Sequence, residues 1–234
     1  MIMPSDRDYK VTKLIKQGFK SISPDFLELS NWINKTYDVS VLNILYDTIN
    51  NSEIPRLTIV FEFNKDELKF REGLWGNYDI QKQQLIAEKF EKLVKQKTTG
   101  LNVFNKLFYT SNKEKYATKN LYVIFTSFEP IAKDEANSSI PEIEIEKFKR
   151  ELELKELWKI YRQFSWTTFF FYTDEQIAEN SNNDLKDCLT EKYFHLLKRF
   201  DQFDYFKRET FSIMLDSKEN FDSNYQGSWF YYSR

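Results

Sequence analysis

The run WTTFFFY at residues 166–172 narrows the possible folds more than any other segment of this chain. In an extended strand, side chains alternate between faces. Trp166, Thr168, Phe170 and Tyr172 therefore share one face, and Thr167, Phe169, Phe171 and Thr173 share the other. Both faces carry aromatics, and a strand apolar on both sides belongs inside a sheet with cover above and below. Fully burying one such ring contributes roughly 2–3 kcal/mol. The run is therefore expected to be core rather than the wall of an open ligand cavity. It ends at Thr173, Asp174 and Glu175, where polar residues return.

Other segments supply the partners such a strand needs. Ser23-Pro24-Asp25 reads as a helix start, with Pro24 in the first turn where its missing N–H costs nothing. An earlier amphipathic stretch sets Val11, Leu14, Ile15 and Phe19 on one face. Residues 39–63 read as a hairpin around NNSEIP, with Leu57, Ile59, Phe61 and Phe63 on a common face. Residues 81–97 place Leu85, Ile86, Phe90, Leu93 and Val94 at helical spacing, with Gly100 as a stop. Two further runs, 102–110 and 120–128, read as a second hairpin. Residues 141–164 read as one long helix and 184–206 as another. The chain closes on a strand in TFSIMLD and an alternating aromatic strand at the C-terminus.

This order predicts an α+β fold: a mostly antiparallel sheet of five to seven strands, with four or five helices packed mainly on one face. No Pro/Gly/Ser linker divides residues 1–234, so a single domain is expected, with fused halves 1–130 and 131–234 as the alternative. Helix-then-hairpin recurs at 24–63, 81–128 and 184–233. In addition, FTSFEPIAKDEANSS (125–139) resembles FYTDEQIAENSNND (171–184). Together these suggest a degenerate α-β-β repeat.

Several function classes fall away on composition. Only five glycines occur, none closer than three residues apart, so neither a phosphate-cradling loop nor a dinucleotide fingerprint is present. One cysteine, Cys188, precludes an internal disulfide and a cysteine zinc cluster. One histidine, His195, leaves no zinc site with two or three histidine ligands. Cys188 lies two helical turns before His195, about 10 Å away, too far for a nucleophile–base pair; His195 reads as a helix-surface or boundary residue rather than a base, and both read as packing rather than catalytic residues. Net charge is −2, which offers no general attraction to nucleic acid or anionic membrane. The charged N-terminus and the lack of a long apolar run predict a cytoplasmic protein without a membrane segment.

The candidate functional residues are acids at strand ends and aromatics in loops. Asp47, Glu62, Glu129, Asp174 and Asp216 each close a proposed strand, and Glu175 follows Asp174. Converging, they would suit a hard divalent cation or an acidic docking surface; dispersed, they keep turns solvated. DELK (66–69) has the Glu-x-Lys spacing of metal-dependent nucleases. Trp75 and Tyr78 lie in the glycine-flanked loop REGLWGNYD, and Trp229 lies in the C-terminal aromatic segment. Such aromatics serve recognition or plug a core. No catalytic set, metal ligand set or cofactor site emerges. The sequence favours a non-enzymatic, immunity- or adaptor-like module that binds a protein partner through Asp47, Glu62, Trp75, Tyr78, Glu129, Asp174, Glu175, Asp216 and Trp229. A metal-dependent phosphodiester-acting enzyme and a single-stranded nucleic-acid binder are the alternatives.

Overall fold

The structure is a computed structural model that describes residues 3–49, 54–72, 76–99, 115–181 and 185–233. The chain divides into two compact units, Met1–Glu129 and Pro130–Arg234. Both mix helices with small sheets.

The first unit begins with α1 (Arg7–Lys16) and α2 (Pro24–Tyr37), then the antiparallel hairpin β1 (Val41–Thr48) and β2 (Pro55–Phe61). Helix α3 (Asn64–Leu68) and the ribbon β3 (Arg71–Glu72) with β4 (Asn77–Tyr78) follow. Helix α4 (Ile80–Thr99) leads to β5 (Tyr122–Ser127), which pairs in parallel with β2. Pro24 occupies the first turn of α2 as expected, although the Ser23 side chain makes no cap bond. Asp38, at φ 52°, ends α2 in the left-handed region.

The central strand β2 is buried along almost its whole length. Leu57, Ile59 and Phe61 join Val123 and Phe125 of β5 in one core. Phe26, Leu29 and Ile33 of α2 and Ile86, Phe90 and Leu93 of α4 complete it. Helix α1 buries Tyr9 and Thr12; of the expected apolar face Val11, Leu14 and Ile15 are half-buried, and Phe19 lies beyond the helix and is exposed. Tyr9 stacks on Phe128 at 5.1 Å, and Asn43 Nδ2 of β1 donates to Thr12 Oγ1 at 3.0 Å.

The second unit opens with α5 (Glu129–Ser138) and α6 (Glu142–Glu151). The hairpin β6 (Leu157–Gln163) and β7 (Trp166–Phe171) follows, then α7 (Asp174–Ser181) and α8 (Leu185–Lys198). Strand β8 (Met214–Ser217) pairs in parallel with β7, and α9 (Lys218–Tyr225) and α10 (Trp229–Tyr232) close the chain. Phe169, Phe170 and Phe171 are fully buried, as a central strand requires. Phe169 and Phe171 belong to a core with Ile145, Leu189, Tyr193 and Leu197. Phe170 meets Phe221, Trp229 and Tyr232 of α9 and α10 at ring separations of 5.1–6.0 Å.

The α+β class holds, but its details differ from expectation. Among the described residues there are ten helices and three sheets, ordered β1-β2-β5, β3-β4 and β6-β7-β8, instead of one sheet of five to seven strands. Each three-stranded sheet contains one antiparallel and one parallel pairing. A helical connection of this length returns the chain alongside β2 or β7 in the same direction, where a short turn would reverse it. The segment 141–164 is α6 followed by β6, broken at Glu153 with φ 54°. The C-terminal aromatics form a helical turn rather than a strand. The proposed strand at 102–110 and Gly100 lie outside the described residues. No described helix is long and apolar enough to cross a membrane.

The two units share one plan: two helices, an antiparallel hairpin, helices, then a strand parallel to the second hairpin strand. The likeness extends to single bonds. Phe61 of β2 pairs with Val41 and Ser127, and Phe171 of β7 with Leu157 and Ser217. A bulge falls between Val41 and Asn43 in β1, and between Leu157 and Lys159 in β6. Glu62 N–H donates to Ser40 O at 2.8 Å, and Tyr172 N–H to Glu156 O at 3.2 Å. The repeat is therefore larger than α-β-β. It equates β2–α3 with β7–α7, so the resemblance between 125–139 and 171–184 reflects two different joints.

Candidate functional site

The strand-end acids fall into separate groups. In the first unit Asp47 sits at the far end of β1, where both carboxylate oxygens accept from Arg56, at 2.8 and 2.5 Å. Glu62 and Glu129 lie at the opposite end, where parallel β2 and β5 finish together. Glu62 Oε1 accepts from Lys16 Nζ at 2.5 Å, and Glu129 Oε2 accepts from the Asn64 N–H at 3.1 Å. Beside them Ser127 Oγ donates to Glu67 Oε2 at 2.7 Å, while Glu67 Oε1 accepts from Arg71. In the DELK segment, then, Glu67 is held by Ser127 and Arg71. Asp66 accepts the Ser40 N–H at 3.0 Å and lies 3.8 Å from Lys69.

The second unit repeats this fastening. Ser217 Oγ donates to Asp174 Oδ1 at 2.5 Å, and Glu219 Oε2 accepts from the Asp174 N–H at 3.1 Å. In both units a Ser-x-Glu at the end of the third strand fastens the helix after the second strand: the glutamate accepts the N–H of that helix's first residue, while the serine bonds a carboxylate of the helix, Glu67 in its fourth position in α3 and Asp174 in its first position in α7. A carboxylate there also complements the positive helix N-terminus. Asp216, next to Ser217, accepts from Asn220 Nδ2 at 2.8 Å and from the Tyr232 hydroxyl at 2.6 Å. Burial, reinforced by the Asp216 carboxylate, holds the Tyr232 phenol above its ordinary range, so it remains a donor. Glu175 is exposed in the first turn of α7. Among the described residues no group of three or more His, Cys, Asp or Glu side chains is arranged to hold a metal.

The aromatic candidates divide similarly. Tyr78 donates to Phe125 O at 3.0 Å with the Arg71 guanidinium 4.8 Å from its ring, which fastens β4 to β5. Trp75 lies outside the described residues. Trp229 stacks on Tyr161 at 4.3 Å and packs on Phe221 at 4.1 Å, helping to roof Phe170. Cys188 does not pack in the core but is exposed on α8, and His195 lies on the surface of the same helix, its Nε2 2.9 Å from Glu191. The buried face of α8 is instead Leu189, Thr190, Tyr193, Leu196 and Leu197.

The tip of the β6–β7 hairpin stands apart from all of these. Gln163 pairs with Trp166, so Phe164 and Ser165 alone make the turn. Phe164 takes φ 51°, a left-handed conformation that costs a non-glycine residue roughly 1–2 kcal/mol. Phe164 is 51% exposed, Trp166 is 66% exposed, and Met214, beside Trp166, is 40% exposed. Three large apolar side chains thus face solvent at one corner of the unit.

A buried amide holds this corner. Asn137 of α5 is fully enclosed. Its Nδ2 donates to Phe164 O at 2.9 Å and Trp166 O at 3.0 Å. Its Oδ1 accepts from Tyr193 Oη at 2.8 Å and Thr167 Oγ1 at 3.3 Å. All four hydrogen-bonding positions of the amide are occupied. Burial pushes the Tyr193 phenol up to about 12, which keeps its proton in place for Asn137. Arg162 Nη1 adds bonds to Asn137 O at 2.7 Å and Ile140 O at 2.8 Å, tying β6 to the α5–α6 junction.

Two shallow hollows flank Trp166. One of about 320 Å³ is lined by Lys133, Phe206, Lys207 and Phe211, and one of about 250 Å³ by Tyr161, Tyr225 and Tyr232; Trp166 and Met214 line both. The sequence reading missed this corner because Phe164 falls at the end of an apparent helix and Trp166 reads as one more ring of the core strand. The available signal was positional, since Trp166 is the first residue of the strand, at its turn. No protein-family model matches the chain, and neither does any curated protein or solved structure.

Proposed function

We propose that this chain is a non-enzymatic protein-interaction module, of the immunity or adaptor kind, which engages its partner through the β6–β7 hairpin tip of the second unit. The observation that carries this reading is the pairing of a strained, solvent-facing Phe164 and an exposed Trp166 with a fully satisfied buried amide that holds both in place. Exposed rings cost solvation and the left-handed turn costs strain, so folding alone gives no reason to retain them. A partner that buries them gives one. Tryptophan in particular dominates binding energy at protein interfaces, and rigid presentation spares the ordering cost of association.

The strand-end acids take a different role in this reading. Glu62, Glu129, Asp174 and Asp216 hold strands and helices together as hydrogen-bond acceptors, which accounts for their positions without a bound cation. Glu175 stays exposed on the same unit as the hairpin tip.

The test is capture from the native host on immobilised protein, comparing wild type with Trp166→Ala. A protein retained stoichiometrically by wild type and at least about tenfold more weakly by the variant is expected. If the variant, shown by circular dichroism to be folded, retains the same proteins equally well, the hairpin tip is not the binding surface.

A further inference from the structure

The outer edge of β6 carries a short row of open backbone groups. Glu156 O takes the Tyr172 N–H, and bonded and non-bonded pairs alternate from there along the antiparallel ladder. With the bulge between Leu157 and Lys159 counted, the pairs at Tyr161 and Gln163 are bonded and those at Ile160 and Arg162 are not. Ile160 and Arg162 therefore turn N–H and C=O away from β7, and among the described residues nothing bonds them there. The row is closed at both ends. Lys149 Nζ donates to Trp158 O at 2.5 Å, and Asn137 Nδ2 to Phe164 O at 2.9 Å. Beside the row lies a hollow of about 280 Å³, lined by Ser138, Glu142, Ile160, Arg162 and Phe164.

The first unit caps its edges with its own side chains. Asn43 matches Lys159 in the repeat, and its Oδ1 accepts the N–H of Ile44, the counterpart of Ile160, at 2.9 Å. On the opposite edge Tyr78 and Gln83 bond the Phe125 and Val123 carbonyls. Lysine has no acceptor to offer, and the Lys159 ammonium lies 4.9 Å from the Trp229 ring. The Arg162 guanidinium is occupied by Asn137 O, Ile140 O and Glu142.

We propose that the partner lays an extended segment along β6 as a fourth strand of the β6-β7-β8 sheet, its backbone bonding Ile160 and Arg162. Open edge groups are a template for another strand, and an extended chain repeats its donors and acceptors at the same interval. Three residues offer about 10 Å of frontage. That suits one chain, and is short for a second whole molecule, since a stable interface takes about 800 Å² from each side. The row ends at exposed Phe164, so the segment runs on to the hairpin tip. This inference rests on the interaction-module reading and adds the manner of docking.

Panning a phage-displayed random dodecapeptide library on the full chain, with counter-selection on Arg162→Pro, supplies the probe peptide. Proline removes the outward N–H and spares the bonds to β7. Arg162→Ala loses the same side chain but keeps that N–H. The peptide should bind at least about tenfold more weakly to Arg162→Pro than to Arg162→Ala. Methylating its amide nitrogens one at a time should abolish binding at alternate positions and spare those between. In hydrogen exchange the Ile160 and Arg162 amides should exchange faster than that of Tyr161 in the free chain, and slow when the peptide binds. No enriched peptide, methylation effects without alternation, or edge amides left unprotected by the peptide overturns the proposal. So does protection of those amides that grows with protein concentration alone, since a second copy would then be the occupant. Should Arg162→Pro fail to fold, the peptide is selected on wild type and the methylation and exchange results decide. If a host partner is captured in a Trp166-dependent manner yet leaves the edge amides exchanging freely, the interaction reading stands and strand addition falls.

Discussion

Asn137 reaches partners 27 to 56 positions away in sequence, which is why nothing around it in DEANSS marks it out. Replacing it with alanine strands the Tyr193 hydroxyl, the Thr167 hydroxyl and two carbonyls in a buried site. Unpaired buried groups cost about 1–3 kcal/mol each, partly relieved by relaxation. Asn137→Ala should therefore lose about 3 kcal/mol in urea unfolding, and a loss below about 1 kcal/mol would mean the hub is not satisfied as described. Phe164 has the opposite sign. Glycine adopts its left-handed conformation freely, offset by glycine's greater unfolded-state entropy. Phe164→Gly should thus leave the chain as stable or more stable by about 0.5 kcal/mol, while weakening partner binding. A clear drop in the unfolding midpoint would contradict strain at this turn.

Asp204 supplies a pH test at the same scale. Hydrogen bonds from Lys198 and then Lys207 hold its carboxyl down at about 2. A carboxyl lowered in the folded state binds fewer protons there than in the unfolded chain. Its contribution to stability is thus complete above the ordinary range near about 4 and disappears as pH falls toward 2. Carboxyl-carbon NMR should give a midpoint near 2. A midpoint near about 4 would show that the two lysines do not hold it.

Among elements, the clasp assigns unequal work to two serines. Ser127 makes one side-chain bond, to Glu67. Ser217 bonds Asp174 and also caps α9, accepting the Asn220 N–H at 2.8 Å. Ser217→Ala should cost about 2 kcal/mol and Ser127→Ala about 1 kcal/mol, measured by chemical unfolding. Equal losses would mean that the cap adds nothing. Helices α2 and α4 and strands β2, β5 and β7 were legible because each carries a strong local period; α8 was legible in its position but not its end, since it stops at Lys198 whereas the sequence suggests helix to Phe206. The α6–β6 break was not. Lys and Glu continue through 149–156, so propensity favours helix until Glu153 turns left-handed and Leu157 begins to alternate. The last aromatics were misread for a related reason. WFYY is a run of strand-favouring aromatics, yet Trp229 and Tyr232 at i and i+3 place two rings on Phe170 from one helical turn.

For the molecule as a whole, the parallel returns of β5 and β8 were the least legible feature, since each depends on pairings across a helical crossover. The doubling was visible as a recurring helix-then-hairpin order and as a faint echo between strand ends, and the echo matched different joints. The core clusters of the two units share no residue. Residues 130–234 alone should therefore unfold cooperatively, with Tyr193 and Phe169 protected. A fragment that shows no cooperative transition by circular dichroism would mean that its core is not self-sufficient.

The Ser-x-Glu clasp occurs once in each unit, with the glutamate in the same place, the serine on a different carboxylate, and a different covering around each. Hardware that shuts a sheet in this way is indifferent to what is hung on the outside. One copy wears a helix from the front of the chain over its second face, and the other wears a coat of rings from the back. A lineage with two such latches can remodel one exterior for a new acquaintance while the spare keeps its original cut.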